Sequence, residues 1–151
     1  MRLRLVMLAV AVGLLGATAS AAPPPGLPPQ PAVRPAWAPP GTMLVSPCVA
    51  TMGSHWANPR NLPFGPIYGE YAGKPVFTEI MIDKKAFAKG GSWDQQLKPL
   101  PGYSIDHVDV DYVPYGHAGY PIPHYDVHAY YVPHATHEKF CPNGIKLRTA
   151  K

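Results

Sequence analysis

The chain has 151 residues, with 13 Lys and Arg against 9 Asp and Glu, and 21 prolines. That length suits one domain, and with no basic stripe interleaved with aromatics, nucleic acid is not an expected partner. Proline and glycine at this density exclude long helices and point to short strands and ordered loops.

The chain opens as a secretory signal. Arg2 and Arg4 are followed by an apolar run from Leu5 to Leu15 and by small residues ending in Ala19-Ser20-Ala21. The small-x-small pattern places cleavage after Ala21, making residues 1–21 a signal peptide. The apolar run is shorter than the roughly 20 residues a membrane span needs. The expected location is therefore periplasmic or extracellular, with no membrane span after cleavage. Cleavage removes Arg2 and Arg4 but no acid, which weakens any argument from basicity. Residues 22–40 hold nine prolines and read as an extended Pro-rich linker. Residues 41–151 are the expected domain.

Within it, Ile67 to Tyr71 and Pro75 to Asp83 read as a hairpin turning at Ala72-Gly73-Lys74. Along the second strand Val76, Thr78, Ile80 and Ile82 share one face, and Phe77, Glu79, Met81 and Asp83 the other. Asp83 caps an expected short helix to Lys89, stopped by Gly90-Gly91. Ser92 to Leu97 is expected to form a second helical turn. Tyr103 to Val113 and His124 to Val132 alternate as strands, joined by a loop rich in Gly and Pro. Pro133 to Phe140 is expected to be a short helix. The apolar faces are expected to cover the core. The fold class is mainly β (α+β): a small antiparallel sheet or partly closed barrel with two or three short helices and one disulfide.

Cys48 and Cys141 are the two cysteines. In an exported chain they are expected to pair and close a loop of roughly 90 residues. The alternative is a pair of metal ligands, but zinc cysteines usually lie two to four residues apart.

All seven histidines fall between His55 and His137. If the two alternating strands pair, His107, Asp109, Asp126 and His128 become cross-strand neighbours. Imidazole and carboxylate at that spacing suit zinc or another first-row divalent metal. His124 and His128 lie roughly 13 Å apart in a straight strand and cannot share one ion. His124 then belongs to the preceding loop or serves a different purpose. His117 lies in that loop and is placed to fold over the site, and Glu79 joins from the hairpin if its face turns the same way. The alternative is a solvated polar face with no ligand.

The segments PGTMLVSPC, MGSHWANP, GPIYGEYAGKPVFTEIM, PGYSIDHVDVDY and GHAGYPIPHYDVHAYYVPH resemble an uncharacterised family of exported bacterial proteins, a domain of unknown function first described from a Thermus secreted protein. The resemblance spans residues 47–142. Its patterns MGxHW, FxExM and PHxDxHxY are met here by His55, Glu79, His124, Asp126 and His128. It implies a chemically capable site at those positions and a homo-oligomer as partner. It implies no reaction, and no nucleophile elbow, P-loop or dinucleotide fingerprint occurs.

Three functions remain open. The first is an exported divalent-metal protein, with or without catalysis, using His107, His124, His128, Glu79, His55, Asp109, Asp126 and His117. The second is a non-catalytic structural or oligomer-forming envelope protein. The third is a binding module for a small apolar or carbohydrate ligand, with Trp56, Trp93 and the tyrosines as its lining.

Overall fold

The structure is a computed structural model that describes residues 33–147; the expected signal peptide and most of the Pro-rich linker lie outside them. Six strands form one sheet: β1 (Met43–Val49), β2 (Gly53–Ala57), β3 (Ile67–Tyr71), β4 (Lys74–Asp83), β5 (His107–Val113) and β6 (His124–Tyr130). Their order is β1-β2-β3-β4-β6-β5, and every pair is antiparallel. β1 and β5 are the ends of that order, and among the described residues only the end of β1 is bridged, Val49 to Ile145, so the sheet is open and does not close into a barrel. Two short helices follow strands, α1 (Lys84–Ala88) and α2 (His134–His137). Among the described residues no helix is long and apolar enough to cross a membrane.

The β3–β4 hairpin turns where expected. Ala72 and Gly73 both have positive φ, 51° and 79°, the two-residue turn whose twist matches paired strands. The Glu70 carboxylate accepts from the Gly73 N–H at 2.6 Å. Asp83 caps α1 through the Ala86 N–H at 2.8 Å. The helical turn expected over Ser92 to Leu97 does not form. The Ser92 hydroxyl bonds the Asp94 carboxylate instead, and Gln95 takes a φ of 58° that no right-handed helix accepts. β5 starts at His107 rather than Tyr103, and α2 is one turn.

β1 and β2 are strands that alternation alone does not reveal. Pro47 interrupts β1, and its pairing with β2 shifts register twice, between Leu44 and Ser46 and between Ser46 and Val49. Proline and bulges are tolerated there because β1 is an edge.

β4 is buried on both faces. Thr78 lies under the segment that leads into β5, whereas Val76, expected on the same face, packs in the cluster of Phe77 beside the register shift between Gly69 and Glu70. The Thr78 hydroxyl donates to the Lys98 carbonyl at 3.0 Å and meets the Tyr131 hydroxyl, which also receives the Leu100 N–H at 3.2 Å. Residues at the end of the Pro-rich stretch pack nearby. Ala38 is buried, and the Trp37 indole N–H donates to the Gly73 carbonyl and meets Trp56 edge-on.

The other face of β4 carries Phe77, Glu79 and Met81. Phe77 joins Val49, Met52, Tyr130, Phe140 and Cys141 in one apolar cluster, and Met81 joins Ala57 and Ile67 in a second. The Cys48–Cys141 disulfide is formed, with Cα atoms 5.8 Å apart, and closes the first cluster at the chain's two ends.

The apolar alternation of β5 and β6 does not turn towards this core as expected. Val108 and Val110 are 50% and 61% exposed, whereas His124, Asp126 and His128 are at most 1% exposed. The register explains the reversal. Phe77 pairs with Tyr130, Glu79 with His128 and Met81 with Asp126. The histidines and carboxylates of β6 therefore share the face of Phe77 and Met81, which β1, β2 and the C-terminal segment cover. β5, at the edge, keeps Val108 and Val110 outward.

Candidate metal centre

Cross-strand rows build the site. One row runs Gly69, Phe77, Tyr130, His107; the next runs Ala57, Ile67, Glu79, His128, Asp109; a third runs Met81, Asp126, Asp111. Side chains at alternate positions of β6 thus form a ladder of His124, Asp126, His128 and Tyr130 on one face. Among the described residues three groups of metal-capable side chains form, two of them on this ladder.

The first group is His55, Glu79 and His128, from β2, β4 and β6. All three are buried, at 8%, 3% and 0% exposure. Glu79 Oε2 is 3.7 Å from His55 Nε2, and its Oε1 is 3.5 Å from His128 Nε2. Phe77 meets both imidazoles edge-on, at 5.3 Å and 4.8 Å between ring centres. Glu79 Oε2, His55 Nδ1 and both nitrogens of His128 have no hydrogen-bond partner. Buried polar atoms without partners are costly and rare.

Charge behaviour follows from that burial. Desolvation, with Asp126 and Asp111 adding, pushes the Glu79 carboxyl well above the usual range. Desolvation, with His128 adding, brings His55 down to about 3. Desolvation brings His128 down to about 4, against the pull of Asp126 and Asp109. Burial thus opposes charge on all three groups when no metal is present.

The second group, His117, His124 and Asp126, adjoins the first. His124 Nδ1 donates to the Ile122 carbonyl at 2.6 Å, and its Nε2 faces Asp126 Oδ1 at 3.0 Å, misaligned for a hydrogen bond. Burial lowers the His124 pKa, but Asp126 and the Ile122 carbonyl outweigh it and the net shift is upward. Within this group the His124 and Asp126 side chains face each other. The third group is His107, Asp109, His134 and His137.

A cavity of about 550 Å³ opens over the first two groups. Its walls are apolar, including Val45, Leu62, Ile67, Met81 and Leu147, and His55, Glu79, His117 and Asp126 reach it.

The structure thus divides the eight residues singled out from the sequence. Glu79 and His128 meet, with His55 completing their group. His124 is in β6 and serves a different group from His128, together with His117. Asp109 is the register partner of His128, yet its carboxylate joins His107 in the third group. The expected quartet of His107, Asp109, Asp126 and His128 does not converge on one point. His134 and His137 were not singled out; their i, i+3 spacing in a short helix was the available signal.

Residues 70–112 match the profile of the TTHB210-like family, described as hypothetical protein TTHB210. Among solved structures, hypothetical protein TTHB210 from Thermus thermophilus matches with a TM-score of 0.52 and 24% identity, over 59% of this chain and 85% of that one, a likeness of fold. No curated protein matches.

Proposed function

We propose that this member of the TTHB210-like family, identified by residues 70–112, is an exported protein that binds a divalent metal through His55, Glu79 and His128. The observation that carries this reading is the set of buried donor atoms left without partners around Glu79. The spacing suits a first-row ion. Ligands at 2.0–2.1 Å in a tetrahedron lie about 3.4 Å apart, and here one donor atom from each residue lies within 4.8 Å of the others. Two imidazoles and a carboxylate favour zinc or a neighbouring transition metal over calcium or magnesium.

Three protein donors leave a coordination position for water or a ligand. The adjoining apolar cavity fits a small molecule with an apolar body. The signal-like segment at residues 1–21 supports export. Metal content of the mature, untagged protein tests the reading. We expect zinc to bind and Glu79→Gln to lose that ion. A protein that stays metal-free after incubation with zinc, copper, iron and manganese refutes it.

A second reading, a homo-oligomeric envelope protein, is favoured by one observation. The edge strand β5 presents Val108 and Val110 to solvent, and unprotected edges invite pairing. A strict monomer by sedimentation at high concentration counts against it.

A further inference from the structure

The geometry points to a second metal site, separate from the first and of a different kind: a closed four-donor centre of His107, Asp109, His134 and His137. We propose that it takes a zinc-like divalent ion and clamps α2 to the edge strand β5.

All four donor atoms lie within 4.8 Å of one another. Asp109 Oδ2 sits at the middle, 3.4 Å from His137 Nε2, 3.6 Å from His134 Nδ1 and 3.8 Å from His107 Nε2. These separations lie close to the spacing of ligands around one tetrahedral ion, about 3.4 Å. Three imidazoles and one carboxylate make a full tetrahedral set, whereas the first group leaves a position open.

The outer nitrogens are held as they are in metal centres. His107 Nδ1 faces Asp106 Oδ1 at 3.0 Å, and His137 Nδ1 donates to the Thr51 carbonyl at 2.9 Å. With its Nδ1 proton engaged, each ring turns a bare Nε2 inward. His134 Nε2 lies 3.8 Å from Glu138 Oε1, one helical turn away. Carboxylates and carbonyls on the far side of ligating histidines orient the ring and raise its basicity. His107 Nε2 is buried and has no hydrogen-bond partner. Tyr130 stacks on His137 at 3.9 Å and on His107 at 5.0 Å, which fixes both ring planes.

One contact must rearrange. His134 Nδ1 and His137 Nε2 are 2.9 Å apart, a hydrogen bond whose proton is on His134 because His137 Nδ1 carries the other. Binding moves the His134 proton to Nε2, on the side that faces Glu138, and frees both inner nitrogens. No net proton is lost from that residue. His134 is 62% exposed, so an ion can enter from solvent. The clamp joins β5 to the one-turn helix that leads into Cys141, so metal and disulfide together secure the C-terminal segment.

The test is zinc content of the mature, untagged protein and of four variants after dialysis, with amide hydrogen exchange of α2 beside it. We expect two zinc ions in the wild type, one in His134→Ala, one in Glu79→Gln and none in the double variant. Zinc should slow exchange across α2 in the wild type and in Glu79→Gln, but not in His134→Ala. His134 is exposed, so its removal should spare the fold; Asp109→Asn gives an independent check on the same centre. If His134→Ala and Asp109→Asn hold as much zinc as the wild type, or zinc leaves α2 exchange unchanged, the clamp is refuted. Full zinc loading of Glu79→Gln refutes the first site while leaving the clamp standing.

Discussion

Replacing Glu79 by glutamine in the metal-free protein should steepen the loss of stability in acid. His55 and His128 have folded pKa values of about 3 and about 4, against 6.5 when exposed. Below pH 6.5 the unfolded chain binds protons that the folded protein refuses, so their stabilisation is present above 6.5 and is lost as pH falls. Glu79 acts in the opposite sense. Its folded pKa is raised, so the folded protein holds a proton that the unfolded chain releases above 4.5. Its contribution is greatest below 4.5 and is lost as pH rises.

Each such proton is worth about 1.4 kcal/mol per pH unit. Between pH 6 and 5 the wild type gains nearly two protons on unfolding from the histidines, and Glu79, which releases a proton on unfolding, offsets part of that gain. It should therefore lose less over that unit than the histidines alone would cost, about 2.5 kcal/mol. Glutamine removes the opposing proton, so the variant should lose about 2.5 kcal/mol. At pH 7 the variant should be the more stable of the two, because its amide needs no proton to be buried. Asp111, whose pKa burial also raises, is common to both proteins and cancels. Urea unfolding with a chelator present, at half-unit steps from about pH 5 to 7, measures the two slopes. Parallel slopes would mean that burial does not raise the Glu79 pKa in the metal-free protein.

Other substitutions probe the frame around the site. A Cβ on Gly69 would lie 2.2 Å from the ring of Phe77, which is fully buried; Gly69→Ala should cost about 1–3 kcal/mol in urea and alter the near-UV spectrum by displacing the ring that meets His55 and His128. Replacing both Cys48 and Cys141 by alanine opens a loop spanning 93 positions and should cost up to about 4–5 kcal/mol by urea midpoint. Tyr131→Phe leaves the buried Leu100 N–H and the Thr78 hydroxyl without their shared partner; a loss of about 1–3 kcal/mol is expected in thermal or urea unfolding. A neutral result there would mean that water takes the hydroxyl's place.

Much of the frame was legible in local pattern. Ala72-Gly73 marks the hairpin turn, Asp83 the helix cap, and the strict alternation of residues 107–113 and 124–130 marks two strands. The same period of two predicts that His124, Asp126 and His128 share a face, and the rise per residue separates His124 from His128. β1 was not legible, because Pro47 and two register shifts erase its alternation. The turn at Ser92 misled because a capping serine finds a carboxylate two residues on as readily as a helix N-terminus.

The sequence by itself determined which side chains stand together along each strand, and that two cysteines at the domain's ends pair. It did not determine which face turns inward. Alternation sorts residues onto two faces, but burial depends on what packs over each, and that was decided by β1, β2 and the C-terminal segment folding across the histidine side of the sheet. Tertiary structure alone also divided the donors: His55 comes to Glu79 across β3, and α2 brings His134 and His137 to His107 and Asp109. Those partners are distant in the chain, and only the order of the strands and the path of the chain after β6 make them neighbours.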